Sequence, residues 1–232
     1  IDTYTFDEDT TLSDVTRTTA MLSLLGPSAE DILPSLIGEP FSMISRFECC
    51  SVDWNGYQII VARTNPVGQS GFDIVVPALA AEAFWETAIK LGIPPVGQDA
   101  LENLRIEAKL PKWGHELTEE HNPLEAGLEG EIAWDKGCYT GQEVVARLFN
   151  YHRIQRRMVT LELPFNKPFQ INTPLIIEGQ TAGYLTSIST LPKGGTVTAL
   201  ASLRTAYVEL ERTLTVGETS GTIARVIAIP VV

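Results

Sequence analysis

The strongest constraint on the fold of this chain is a change of pattern near residue 155. Beyond that point, short segments rich in aliphatic and β-branched residues are separated by Pro and Gly, and almost nothing has helical periodicity. The predicted strands are residues 158–163, 175–178, 182–187, 197–203 and 222–227. Five or six short strands of this kind favour a small barrel or a sandwich.

The first part of the chain mixes both periodicities instead. A strand is predicted over residues 1–6, and Gly26-Pro27-Ser28 is typical of a helix start. Asn55-Gly56 favours a hairpin turn between two further strands. The remaining predicted elements are strands 47–52, 57–62 and 72–76 and helices 77–91 and 98–104. We therefore expect an α+β fold, with a split antiparallel, ferredoxin-like sheet-and-helix domain over 1–154 and a β-barrel domain over 155–232.

Composition and charge limit the classes of function. Of 232 residues, 44% are hydrophobic, which is ordinary for a globular protein with a core. Acidic residues outnumber basic ones by 29 to 17, and the net charge of −12 disfavours broad nucleic-acid binding. Three cysteines, two of them adjacent, do not form a disulfide framework. The sequence has no apolar run of about 20 residues and no charged leader. We therefore expect a soluble protein in a reducing, intracellular compartment, with no membrane partner.

The chemistry is expected in residues 136–143, Lys-Gly-Cys-Tyr-Thr-Gly-Gln-Glu. Two glycines bracket Cys138, which predicts a tight loop that presents the thiol. Lys136 would favour the thiolate, and a helix predicted over 142–148 would place its N-terminal N–H groups nearby. A glycine-lined turn around an inert small residue is the alternative from these residues alone.

The same segment carries a family resemblance. Lys-Gly-Cys-Tyr-x-Gly-Gln-Glu is the signature of the YgfZ family, every specified position matches, and Val144-Val145-Ala146-Arg147 continues the pattern. The chain therefore resembles the YgfZ branch of the folate-binding, aminomethyltransferase-like proteins. The related glycine-cleavage aminomethyltransferases usually carry an acidic residue where Cys138 stands.

Two other segments resemble the wider superfamily. Residues 68–74 are similar to the loop and strand whose acidic residue, here Asp73, holds the pterin ring of a folate. A carboxylate can accept two hydrogen bonds from the 2-amino and N3 positions of a pterin. Residues 104–117 are similar to the segment whose arginine, here Arg105, lies in the folate cavity, and Pro-x-Glu-Ala-Gly-Leu at 123–128 completes the match. Without the family, Asp73 reads as an exposed strand residue and Arg105 as a surface neighbour of Glu107.

The resemblance implies a function and a site. Tetrahydrofolate, or a one-carbon derivative of it, would be held by Asp73, Arg105, Tyr139, Gln142 and Arg147. Cys138, assisted by Lys136, would be the reactive or sensing thiol in support of iron–sulfur cluster assembly or repair.

Other implications concern the setting of the protein. Its partners would be folate and iron–sulfur proteins or their assembly factors, and we expect a monomer. The compartment would be the bacterial cytoplasm, or the mitochondrial matrix or chloroplast stroma in a eukaryote. The resemblance also implies that an N-terminal portion is missing, and that the position of the acidic residue that catalyses aminomethyl transfer in the superfamily falls within it. A true aminomethyltransferase, which would be a one-carbon-transferring enzyme, and a non-catalytic folate-binding module are the alternatives.

Several residues carry weaker hypotheses. His115, His121 and His152 have no metal-ligand spacing with the cysteines, so no metal site is predicted. A Cys138–His152 hydrolase is a runner-up. Cys49 and Cys50 are predicted to be buried. The sequence has one basic cluster, which consists of Arg147, Arg153, Arg156 and Arg157. This cluster would steer the glutamate tail of a folate, an RNA or a protein; the alternative is that it is solvated charge at a helix end.

Overall fold

The computed structural model describes residues 9, 11–38, 45–65, 67–68, 70–151, 153–217 and 221–229. The chain divides into two compact units, Ile1–Pro95 and Val96–Val232. The strand predicted over residues 1–6 lies outside the described residues. Within the described ranges, no helix is long and apolar enough to cross a bilayer.

The first unit contains an antiparallel sheet covered by helices on one face. Its strands run in the order β1-β4-β3-β2 and its two helices are α1 and α2. The bounds are β1 Thr19–Leu25, α1 Ala29–Ile37, β2 Cys49–Trp54, β3 Tyr57–Thr64, β4 Gly71–Pro77 and α2 Ala81–Lys90. The helix predicted from residue 77 begins later, because Pro77 is the last residue of β4 and a 3₁₀ turn, Ala78–Ala80, precedes α2.

Strand alternation decides which face of this sheet is buried. In β4, Phe72, Ile74 and Val76 are buried, whereas Asp73 and Val75 point to the opposite face. The predicted Asn-Gly turn joins β2 to β3, with φ of 53° at Asn55 and 82° at Gly56. The helices therefore pack on one face of the sheet, and the other face carries the candidate folate-binding carboxylate.

The second unit contains a closed six-stranded barrel in the order β10-β5-β8-β7-β6-β9. Its strands are β5 Arg156–Pro164, β6 Pro174–Ile177, β7 Gln180–Ile188, β8 Thr196–Arg204, β9 Thr213–Val216 and β10 Thr222–Ala228. Inward-facing aliphatic residues such as Leu161, Leu185 and Leu203 are fully buried and form its core. A sheet-and-helix domain together with a small barrel confirms the predicted α+β fold class.

Two helices precede the barrel in the second unit: α3 Gln98–Glu107 and α4 Gln142–Asn150. The predicted boundary at residues 154 and 155 lies next to the start of β5, whereas the two compact units divide between Pro95 and Val96. As an assignment of functional domains, 1–154 and 155–232 stays a prediction.

Candidate functional site

Asp73 lies on a central strand of the first sheet, opposite Ser23 on β1 and Ala62 on β3. Its side chain is half-buried, and Oδ1 accepts a hydrogen bond of 2.5 Å from the Ser23 hydroxyl. Among the described residues, Oδ2 has no hydrogen-bond partner. The carboxylate is therefore held at one oxygen and available at the other.

The surface beside Asp73 is largely apolar. The neighbouring row across the sheet places Met21 opposite Val75 and Val75 opposite Ile60. Met21 is 67% exposed and Ile60 is 46% exposed, although both are large hydrophobic residues. A carboxylate next to exposed apolar side chains suits a flat heteroaromatic ring with hydrogen-bond donors on one edge. This row was not singled out from the sequence, although alternation within β1 and β3 could have indicated it.

Arg105 occupies a buried position on α3 in the second unit. Nε and Nη2 donate to Glu102 at 3.2 and 2.6 Å, and Nη1 donates to Glu116 at 3.1 Å and to the carbonyl of Leu110 at 2.6 Å. The second Nη2 donor reaches the Ser187 hydroxyl at 2.7 Å. All five guanidinium donors are engaged, so a bound ligand would have to exchange with one of these partners. Arg105 as a folate contact stays a prediction.

The same network corrects the surface alternative for Arg105. Glu107 forms its ion pair with Lys193 at 2.8 Å, not with Arg105. Glu102 also accepts from Lys112 Nζ at 3.1 Å, and hydrogen bonds from Arg105, the largest cause, and from Lys112 lower the pKa of Glu102 to about 2. Two cations thus balance Glu102 and Glu116, which allows Arg105 and Glu116 to be buried.

Sequence reasoning missed the partners that complete this cluster. The Ser187 hydroxyl donates to Glu116 Oε1 at 2.7 Å, and His115 Nδ1 donates to the carbonyl of Thr186 at 2.9 Å. The two residues in each of these contacts are more than 70 positions apart in the sequence, so no local pattern marks them. The only indication in the sequence was the Gly-His-Glu run at 114–116. Glu125 ties its turn to the barrel, since its Oε1 accepts from the backbone N–H of Arg156 at 3.2 Å.

Cys138 lies in an exposed loop that precedes α4 and is a free thiol. Gly141, with φ of 91°, makes the left-handed turn into the helix. Gln142 Oε1 accepts from the backbone N–H of Tyr139 at 3.3 Å, and Lys136 Nζ lies 4.6 Å from the centre of the Tyr139 ring. The loop is thus organised around Tyr139 and leaves the sulfur accessible.

The helix after this loop alternates between exposed and partly buried residues. None of the residues of α4 is buried, and Val144 is 61% exposed. Arg147 Nη2 forms an ion pair with Glu143 at 2.8 Å, one turn earlier. Trp134 stacks at 4.5 Å on Phe149 and joins the loop to the helix. The assignments of Lys136, Tyr139, Gln142 and Arg147 to catalysis or folate binding stay predictions.

The prediction that both adjacent cysteines are buried is wrong for Cys49. Cys49 is exposed because it lies on the face of β2 opposite the core, and Cys50 packs partly against the core. His152 lies outside the described residues. No group of three or more potential metal ligands occurs in the described part of the chain. Asp73 belongs to the first compact unit, and Arg105 and Cys138 belong to the second.

A comparison with protein families decides the family. The model of the GCVT N-terminal domain matches residues 2–136, which is more than half of the chain. The chain belongs to the GCVT N-terminal domain family. The segments that contain Asp73 and Arg105 both lie within the matched range.

Individual relatives of this GCVT-family chain agree with that placement. It is 31% identical over 218 residues to a chloroplastic protein of Arabidopsis thaliana whose name places it among transferases. The match covers 92% of this chain and 49% of the relative. It is 33% identical over 211 residues to an aminomethyltransferase of Listeria welshimeri, covering 90% and 58%. The chain thus spans about half the length of the curated relatives it matches.

A solved structure supports the fold independently. The crystal structure of the glycine cleavage system aminomethyltransferase T from Bartonella henselae matches with a TM-score of 0.77 at 22% identity. The match covers 91% of this chain and 59% of that protein. At this identity the likeness establishes the fold alone.

Proposed function

We propose that the full protein is a tetrahydrofolate-dependent one-carbon transferase of the aminomethyltransferase type. The observation that carries the proposal is the half-buried carboxylate of Asp73, held at Oδ1 by Ser23 beside the apolar side chains of Met21, Val75 and Ile60. Membership of the GCVT N-terminal domain family and the names of the relatives support the same reading.

These residues fit a pterin. The 2-amino and N3 donors of the ring can share one carboxylate, and Oδ2 of Asp73 is available to accept one of those hydrogen bonds. Met21 and Ile60 would cover part of the ring and remove water from the hydrogen bonds, which strengthens them. Tetrahydrofolate, when bound, supplies the nitrogen atoms that accept a one-carbon unit.

Each protein group then has a limited role. Asp73 would orient the pterin edge, and Ser23 would fix the carboxylate by donating its hydroxyl hydrogen. Arg105 would act as a positioning residue, since its hydrogen bonds to Glu102, Glu116 and Ser187 join α3 to the barrel strand β7. Orientation by preformed contacts is a large part of what such a site contributes to rate.

A second candidate rests on Cys138. Its exposed thiol in the YgfZ-like loop favours support of iron–sulfur proteins, in which the cysteine reacts with a partner or a one-carbon unit. A transferase of the glycine-cleavage type has no need of this sulfur. The two candidates therefore predict different effects on function when the sulfur of Cys138 is replaced.

The test uses the full-length protein and two variants. We expect tetrahydrofolate-dependent loss of the aminomethyl group from a lipoyl-bearing carrier protein, with kcat/KM for tetrahydrofolate reduced about 10-fold or more by Asp73→Asn, because a charge-assisted hydrogen bond is lost. Cys138→Ser should change the rate less than about 2-fold. No transfer by the wild-type protein, combined with loss of iron–sulfur enzyme activity in cells carrying Cys138→Ser, would favour the second candidate. Folate binding without either effect would indicate a non-catalytic module.

A further inference from the structure

Four arginines in and just before the barrel have no acidic partner in the part of the chain that the structure describes. Arg63, Arg105, Arg147, Arg212 and Arg225 each form an ion pair. Among the described residues, no carboxylate lies within ion-pair distance of the side chains of Arg153, Arg156, Arg157 and Arg204. In a chain with 29 acidic and 17 basic residues, arginines that find no acidic partner within the described ranges call for a physical reason.

Two of these arginines face each other across neighbouring strands. Arg156 at the start of β5 is in register with Arg204 at the end of β8. Residues directly opposite in an antiparallel pair have Cβ atoms about 5 Å apart on the same face, and like charges there are destabilising. The backbone maintains this register, since Thr205 donates its N–H to the carbonyl of Gln155 at 2.9 Å.

Arg156, unlike Arg204, also lines a cavity of about 690 Å³. It is half-buried, and its guanidinium carbon lies 5.9 Å from the centre of the Tyr184 ring, which restricts its position. The cavity wall includes His115, His121 and Thr186, whose buried hydroxyl oxygen has no hydrogen-bond partner among the described residues.

The carboxylates of this cavity do not neutralise Arg156. Glu119 and Glu120 also line it and are exposed. Glu125 is closer, but its Oε1 accepts from the backbone N–H of Arg156 and not from the guanidinium. Within the described ranges, the forked donors of Arg156 therefore have no carboxylate partner and are available to a ligand.

We propose that Arg156 and Arg204 form a binding site for a small multivalent oxyanion, carrying either carboxylate or phosphate groups. Such an anion would cancel the repulsion between the two guanidinium groups, and each can bind two of its oxygens in a fork. A long phosphate backbone fits less well, because the net charge of −12 repels it outside the cluster. The site does not depend on folate binding and goes beyond the proposed function.

The test is calorimetric titration of citrate and of pyrophosphate into the full-length protein at constant ionic strength. We expect at least one of them to bind, and Arg156→Gln and Arg204→Gln each to weaken binding about 10-fold or more. Arg17→Gln is the matched control, because Arg17 is exposed and has no ion pair among the described residues. It removes the same charge and should change the affinity less than about 2-fold.

Thermal unfolding provides a second readout in case a variant binds poorly because it is misfolded. Without added anion, Arg204→Gln should raise the melting temperature, because it removes a like-charge pair, and saturating anion should stabilise the wild type more than the variant. Binding of citrate alone would assign carboxylate ligands, and binding of pyrophosphate alone would assign phosphate ligands. Failure of both anions to bind, or an equal loss of affinity in Arg17→Gln, would overturn the proposal.

Discussion

At the scale of single residues, Arg105 shows what a local motif can and cannot predict. The sequence singled it out through its flanking residues, and the structure makes it a fully hydrogen-bonded, buried cation. Its acceptors include Glu116, eleven residues away, and Ser187, eighty-two residues away. Separations of this size depend on packing of α3 against the barrel, which no local pattern encodes. A residue identified as a ligand contact therefore has an evident structural role.

The network makes a prediction about acid sensitivity. Because the pKa of Glu102 is lowered to about 2 from an ordinary value of 4.5, its stabilisation is present above about pH 4.5 and is lost as the pH falls toward 2. Glu102→Gln should lower the free energy of unfolding by about 1–3 kcal/mol near neutral pH, and by less near pH 3. Urea unfolding at the two pH values measures the difference.

Glu119→Gln is the control for this experiment. Glu119 is exposed and has no ion pair among the described residues, so its removal should leave the free energy of unfolding within about 0.5 kcal/mol of the wild type. An effect of Glu102→Gln that is equally large at both pH values would show that the ion pairs are not the source of its stabilisation.

At the scale of secondary structure, predictions succeeded where the pattern is local. The Asn-Gly turn and the start of α4 at Gln142 were read correctly, because turn residues and glycine act on their immediate neighbours. β9, Thr213–Val216, was not predicted. Its place between β6 and β10, which closes the barrel, is a long-range property.

Barrel closure makes a prediction at Gly183 on β7. Gly183 is buried, and a Cβ atom added there would clash with the carbonyl oxygen of Ser202 and lie 2.8 Å from Leu203 Cδ2. We expect Gly183→Ala to lower the free energy of unfolding by about 1–3 kcal/mol or more, because β8 would have to move. Gly130→Ala, where a Cβ meets nothing within 4 Å, should have little effect in the same urea titration. Equal stability of the two variants would contradict the packing described for β7.

At the scale of the whole molecule, more of the candidate site was proposed from family resemblance than from physical reasoning. Composition and periodicity predicted the α+β class and the barrel, but they gave no reason to connect Asp73 with Arg105, which belong to different compact units. The YgfZ-like motif identified the Cys138 loop, whereas the family match supports the wider aminomethyltransferase superfamily. Arg156 was noted in the sequence as part of a basic cluster, and only strand register showed that it faces Arg204.

The central claim is that the sheet face around Asp73 binds a tetrahydrofolate. Calorimetric titration of tetrahydrofolate into the full-length wild-type protein, Asp73→Asn and the exposed control Asp31→Asn tests it most directly. We predict one site in the wild type and in Asp31→Asn, and an affinity lowered about 10-fold or more in Asp73→Asn. The absence of binding to the wild type, or the same dissociation constant for all three proteins, would contradict the account.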